Sequence, residues 1–148
     1  MKPPRRILFV CIRNSGRSQM AEAFLNDLGG PEFVAESAGI DPRPIDPDVI
    51  RVMQEAGYDL SKAQSDHIVD FFREGRLYEQ VIYVCEHGVE DGCPVFPGVR
   101  RTLHWPYPDP AELAGSEEER LRELRRIRDR IRARVERWLE ENAGRPAD

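Results

Sequence analysis

Cys11 and Arg17 stand six positions apart in Val10-Cys11-Ile12-Arg13-Asn14-Ser15-Gly16-Arg17-Ser18. The residues between them are mostly small or polar. A thiolate nucleophile inside a ring of N–H donors is the chemistry this pattern suggests. Backbone amides from residues 12 to 17, set at the start of a helix, would converge on a tetrahedral oxyanion. Asn14, Ser15 and Gly16 let a loop curl tightly. The Arg17 guanidinium offers a planar fork to two anion oxygens. Such a field favours the thiolate at Cys11, and the Ser18 hydroxyl is placed to hydrogen-bond its sulfur. Ile12, Arg13, Asn14, Ser15, Gly16 and Arg17 are therefore the expected anion-binding residues. The competing reading, a small buried structural cysteine, fits the pattern less well.

Two further cysteines, Cys85 and Cys93, flank Glu86-His87-Gly88-Val89-Glu90-Asp91-Gly92. Three cysteines make no static disulfide framework, so redox or catalytic thiols gain weight. Gly88 and Gly92 would make the segment pliable. Two other readings stay open. Cys85 is core and Cys93 incidental, or Cys85, His87 and Cys93 bind a metal such as zinc, although no fourth ligand is evident nearby. A single carboxyl, Asp109, sits in the proline-framed Trp105-Pro106-Tyr107-Pro108-Asp109-Pro110. An acid there would protonate an oxygen leaving the central atom of the anion. Otherwise it only opens a turn.

The elements that must hold these groups follow from periodicity. Ile7-Leu8-Phe9-Val10 and Val81-Ile82-Tyr83-Val84 are continuous apolar runs, as in buried parallel strands. Cys11 and Cys85 fall at their ends. Phe33 to Ala38 is a further strand, and Arg101 to Trp105 a weaker one, with Pro106, Pro108 and Pro110 forbidding regular structure beyond it. Helices are expected over residues 18–28, 48–56 and 66–73. Ser116-Glu117-Glu118-Glu119 forms a capping box. It opens a long helix with an apolar stripe at Leu121, Leu124, Ile127, Ile131, Val135 and Leu139. This order points to a parallel α/β sheet covered on both faces. Ligands of such sheets bind at the C-terminal strand ends, where Cys11, Cys85 and the turn after Trp105 all lie.

The composition sets outer bounds. The chain has 148 residues, a net charge of −5 and 40% apolar residues. That suits one catalytic domain spanning 1–148. The charge argues against general nucleic-acid binding. No apolar stretch nears the ~20 residues needed to cross a bilayer, and the run after the basic N-terminus is too short for a signal peptide. A cytoplasmic monomer is expected.

The stretch from Cys11 to Ala23 resembles the active-site signature of the low-molecular-weight tyrosine phosphatase fold, and within it the thioredoxin-coupled arsenate reductases. The similarity continues through Ser37-Ala38-Gly39, Ser65-Asp66, the paired cysteines, His104-Trp105, Asp109-Pro110 and the last helix. It implies a three-layer α/β sandwich, with a four-stranded parallel sheet flanked by helices. It also implies reduction of arsenate to arsenite by a three-cysteine relay. Cys11 attacks arsenate while Asp109 assists loss of water. Cys85 then attacks Cys11 and arsenite leaves. Cys93 attacks Cys85, and thioredoxin reduces the resulting pair; glutaredoxin or a small thiol is the other class of donor. Catalytic roles thus fall to Cys11, Arg17, Ser18, Cys85, Cys93 and Asp109. Arsenic resistance would be the cellular role, and no organic cofactor is implied.

Some members of that family bind potassium through residues matching Asn14, Glu22, Ser37 and Asp66. All four carry oxygen, as a hard cation requires. A plain hydrogen-bond network bracing the loop is the equal alternative. The alternative activity is phosphomonoester hydrolysis through a phosphocysteine at Cys11. Phosphatases of this fold usually carry aromatics just after the Asp-Pro pair. Ala111 and Glu112 stand there instead, which suits a small inorganic anion, although Tyr107 could partly substitute. A non-enzymatic arsenite or redox sensor would need neither Asp109 nor the full cradle. Position 13 is Arg where the family commonly has a small residue, and its side chain is expected to face solvent. The seven-residue spacing of the distal cysteines is about one longer than the family pattern.

Overall fold

In a computed structural model, residues 2–86 and 93–145 are described. The elements run β1 (Arg5–Cys11), α1 (Arg17–Gly29), β2 (Phe33–Gly39), α2 (Pro47–Glu55), α3 (Ile68–Arg73), β3 (Gln80–Cys85), β4 (Arg101–Tyr107) and α4 (Glu117–Asn142). The strands form one parallel sheet in the order β2-β1-β3-β4. Successive side chains of a strand point to opposite faces, yet all of Ile7 to Cys11 is buried. Both faces of β1 are therefore covered, as the apolar run required.

The chain leaves β1 for β2 on one side and returns to β3 on the other. The C-terminal ends of β1 and β3 thus frame the switch point of the sheet, where open α/β sheets form their ligand crevice. Cys11 and Cys85 are the last residues of these neighbouring strands.

The long helix begins at Ser116, whose hydroxyl accepts from the Glu119 N–H while the Glu119 carboxylate takes the Ser116 N–H. Leu121, Leu124, Ile127, Ile131 and Val135 are buried, and Trp138, more than Leu139, completes the stripe. α4 packs on α1 and α2. The Trp138 indole donates to Gln80 at 3.1 Å, and Gln80 donates to Asn142, so the far end of the helix is tied to β3.

Most boundaries fall within one or two residues of the sequence reading, and two of the differences bear on the site. β4 runs through Pro106 to Tyr107. It is the edge strand, and its pairing slips between Tyr83–His104 and Cys85–Tyr107, so the proline's missing N–H is tolerated there. α3 starts at Ile68 with His67 as its cap. Asp66 is held outside it, its N–H given to Asn14. Among the described residues no helix is long and apolar enough to cross a membrane. His87, Gly88 and Gly92 lie outside the described residues.

Ile127 is fully enclosed. Ile127→Ala should cost about 3 kcal/mol of unfolding free energy through lost burial and the cavity left behind. Urea denaturation followed by circular dichroism checks this, and a loss under about 1 kcal/mol would show that α4 is not bound through this stripe.

Candidate active site

The turn after β1 is shaped from outside. The carbonyl of Ile12 accepts from the Asp41 N–H at 2.8 Å, that of Arg13 from Arg43 at 2.9 Å, and that of Ser15 from Asp46 at 3.0 Å. The Asn14 carbonyl accepts from the Ser65 hydroxyl at 3.0 Å and the Gln19 amide at 3.2 Å. With four successive carbonyls turned outward, the planar trans peptides turn the N–H groups of residues 13 to 16 inward. The Asn14 N–H, one of these, points at the Cys11 sulfur at 3.0 Å. The result is a concave set of donors closed by the start of α1, where Gly16 supplies no side-chain cap to the first-turn amides.

Asn14 makes this turn possible. At φ 52° it is the only non-glycine residue in the left-handed region among the described residues. Its amide is fully used. Nδ2 donates to Ser18 Oγ at 2.8 Å and to Ser37 Oγ at 2.9 Å. Oδ1 accepts from the Asp66 N–H at 2.9 Å and from Gln19 Nε2 at 3.2 Å. Gly39 backs the turn at close range. A Cβ there would stand 2.7 Å from the Ile12 oxygen and 2.9 Å from the Asn14 nitrogen.

Cys11 is 1% exposed, with its sulfur 2.9 Å from Ser18 Oγ. Arg17 is 4% exposed. Its guanidinium donates to the Tyr107 carbonyl at 2.9 Å and lies 3.8 Å from an Asp109 carboxylate oxygen. The other Asp109 oxygen accepts from the Ala111 N–H, capping the short 3-10 turn Pro110–Glu112. The turn-opening and the arginine-facing positions of Asp109 thus coexist. The Arg13 side chain faces solvent. Tyr107 is buried with its ring beneath Arg130, so it does not stand in for an aromatic wall over the cradle.

Cys85 is buried, and its sulfur lies 3.9 Å from the Val10 carbonyl. Burial first, then the nearby charge of Cys11, pushes its thiol up to about 12, with Arg17 pulling the other way. His104 Nε2 meets the Cys85 carbonyl at 2.6 Å. Cys93 is half-buried, in the loop between β3 and β4, and accepts from the Tyr83 hydroxyl at 3.2 Å. All three thiols are free. The structure therefore gathers Cys11, Asn14, Arg17, Ser18, Cys85 and Asp109, and leaves Cys93 apart. The sequence reading missed Gln19, the Tyr107 carbonyl and Tyr83. Only Tyr83 gave a signal, as the one aromatic in an otherwise aliphatic strand.

Behind the cradle the Ser37 hydroxyl donates to Glu22 at 2.9 Å. Burial, with Glu36 and Asp66 adding their charges, pushes the Glu22 carboxyl up to about 7. Among the described residues no three His, Cys, Asp or Glu form a metal cluster; the zinc reading required His87, outside them.

Residues 6–145 match the family model for low molecular weight phosphotyrosine protein phosphatase. An arsenate reductase of Bacillus licheniformis is 38% identical over 137 residues, 92% of this chain and 96% of that protein. A solved arsenate reductase in its phosphate-binding state matches with a TM-score of 0.72 and 31% identity, covering 93% of this chain and 98% of that one. A thioredoxin-dependent arsenate reductase of Corynebacterium glutamicum matches with a TM-score of 0.71 and 28% identity, over 95% of this chain and 62% of that one.

Gly39→Ala should weaken binding of inorganic phosphate by about tenfold or more, or about 1.4 kcal/mol, and lower the melting temperature. The added methyl meets backbone, which cannot swing away. Titration calorimetry checks the first and scanning calorimetry the second; unchanged affinity would mean that the cradle does not depend on this close approach.

Proposed function

The chain belongs to the low molecular weight phosphotyrosine protein phosphatase family, and on that premise we propose that it reduces arsenate to arsenite by a relay of three thiols, with thioredoxin restoring the pair. The observation that carries this is the second thiol. Cys85 ends the strand beside that of Cys11 and responds to its charge. A hydrolase of this fold needs one thiol, because water completes its cycle; a two-electron reduction needs two.

Each step then has a group in place. The inward N–H groups of residues 13 to 16 and the Arg17 fork hold the oxyanion. The Cys11 thiolate, supported by Ser18 and the Asn14 N–H, bonds to arsenic, and the Asp109 carboxyl gives its proton to the departing oxygen, which leaves as water. Bonding to arsenic removes the negative charge on the Cys11 sulfur. One of the two causes that suppress the Cys85 thiolate disappears with it. Cys85 then attacks the Cys11 sulfur, the electron pair of the sulfur–arsenic bond stays on arsenic, and arsenite departs. Cys93 takes over Cys85 and frees Cys11, and thioredoxin reduces the Cys85–Cys93 disulfide. Phosphomonoester hydrolysis shares the first step and is a secondary activity of the same residues; Ala111 and Glu112 leave no aromatic grip for a phenyl ring.

We further propose that Glu22, Ser37 and Asp66 hold a potassium ion beside Asn14, whose own oxygens each already accept two hydrogen bonds. The oxygens of the three suit a hard monovalent cation better than zinc. Glu22 is half-buried near two other carboxylates, and neither Glu22 nor Asp66 forms an ion pair among the described residues. The bound ion would neutralise Glu22 and brace the Asn14 turn.

Arsenate-dependent NADPH oxidation with thioredoxin and thioredoxin reductase tests the relay. Turnover in the wild type should fall at least about 100-fold in both Cys85→Ser and Cys93→Ser, equivalent to about 2.7 kcal/mol. Wild-type failure on arsenate, with aryl phosphate hydrolysis surviving both substitutions, would make the protein a phosphatase. For the cation, potassium chloride should raise the melting temperature above that in choline chloride at equal ionic strength, and Glu22→Gln should remove the difference. Equal melting in both salts would leave the four residues as a hydrogen-bond network alone.

A further inference from the structure

The third thiol has a partner that the relay does not call for. The Tyr83 hydroxyl donates to the Cys93 sulfur at 3.2 Å, across ten residues of sequence. Both line a small groove of about 270 Å³ with Val81, Phe96 and Val99. The walls are largely apolar and offer the Cys93 sulfur few other hydrogen-bond donors. Burial pushes the Cys93 thiol up, and the bond from Tyr83 pulls it down. A hydroxyl donated to sulfur favours the thiolate over the thiol. Tyr83 is also well placed along β3. It precedes Cys85 by two residues on the same strand. At roughly 3.3 Å per residue, the two positions lie about 6.6 Å apart along the strand.

We propose that Tyr83 is a positioning residue for the second thiol exchange: its hydroxyl holds the Cys93 sulfur against β3, two residues before Cys85 in the strand, and donates to it as it becomes a thiolate. The place of this step in catalysis rests on the relay reading. In the exchange the Cys93 thiolate bonds to the Cys85 sulfur while the Cys85–Cys11 bond breaks. The electron pair leaves on the Cys11 sulfur, the Cys93 proton goes to solvent, and there is no net oxidation. Tyr83 stays unchanged throughout.

Tyr83→Phe keeps the ring and removes the donor. The first readout is the pH profile of Cys93 alkylation by iodoacetamide, with Cys11→Ser and Cys85→Ser isolating that thiol. Loss of the hydroxyl should move the profile up by about half a pH unit or more, so that alkylation below the midpoint is about threefold slower. A purely structural tyrosine would not move it. The second readout is a single turnover with arsenate and all three cysteines present, trapped by acid and resolved by mass spectrometry. Tyr83→Phe should accumulate the Cys11–Cys85 disulfide and convert it to Cys85–Cys93 at least about tenfold more slowly, an effect of about 1.4 kcal/mol. Superimposable alkylation profiles overturn the proposal, as does conversion at the wild-type rate. Absence of arsenite release from the wild type would instead sink the relay, while the alkylation profile still decides whether Tyr83 governs Cys93.

Discussion

One side-chain amide holds the site together. Asn14 accepts a left-handed backbone turn that costs most residues on the order of 1 kcal/mol or more, and its four hydrogen bonds to Ser18, Ser37, Gln19 and Asp66 keep it there. That turn aims its own N–H at the Cys11 sulfur. It also fixes the sense of the neighbouring peptides, so that carbonyls leave the loop and donors enter it. The loop is therefore pre-set by the α1, β2 and pre-α3 segments packed behind it. An incoming anion meets donors that need no reorganisation, the condition under which such donors are most effective.

The placement of the three thiols adds an order to this frame. Cys11 is held in the donor field, Cys85 is buried without comparable support, and Cys93 is parked against a phenol. A thiol pushed up to about 12 stays protonated at neutral pH. In the proposed relay, bonding of Cys11 removes the charge beside it and lifts the smaller of the two causes, leaving burial. Under that relay, burial and the Cys11 charge together discourage Cys85 from acting before the oxyanion has reacted.

Much of this was legible in the chain. The runs at residues 7–10 and 81–84 admit little but buried parallel strands, and the Ser116–Glu119 box sets the start of α4. The thiol loop announces itself because small residues, one cysteine and one arginine coincide between a strand and a helix. What stayed hidden depends on tertiary neighbours. Pro106 reads as a breaker, yet an edge strand with a slipped register absorbs it. Tyr107 contributes a backbone carbonyl, which no residue type reveals. The hydroxyl of Tyr83 finds Cys93 through a fold-dependent approach, and the hub role of Asn14 emerges only when residues 37 and 66 arrive from distant parts of the chain.

Arg17 carries a consequence for how such a protein can change. The same guanidinium grips the Tyr107 carbonyl and faces Asp109, and in the proposed function its remaining donors take the anion. Loop closure and anion capture therefore share a single point of failure, and neither can be retuned there without losing the other. Among the described residues, the side chains of Arg13, Ala111 and Glu112 hold none of the bonds that shape the cradle. Selectivity among oxyanions and their esters is free to drift at those three positions while the chemistry beneath them stays fixed.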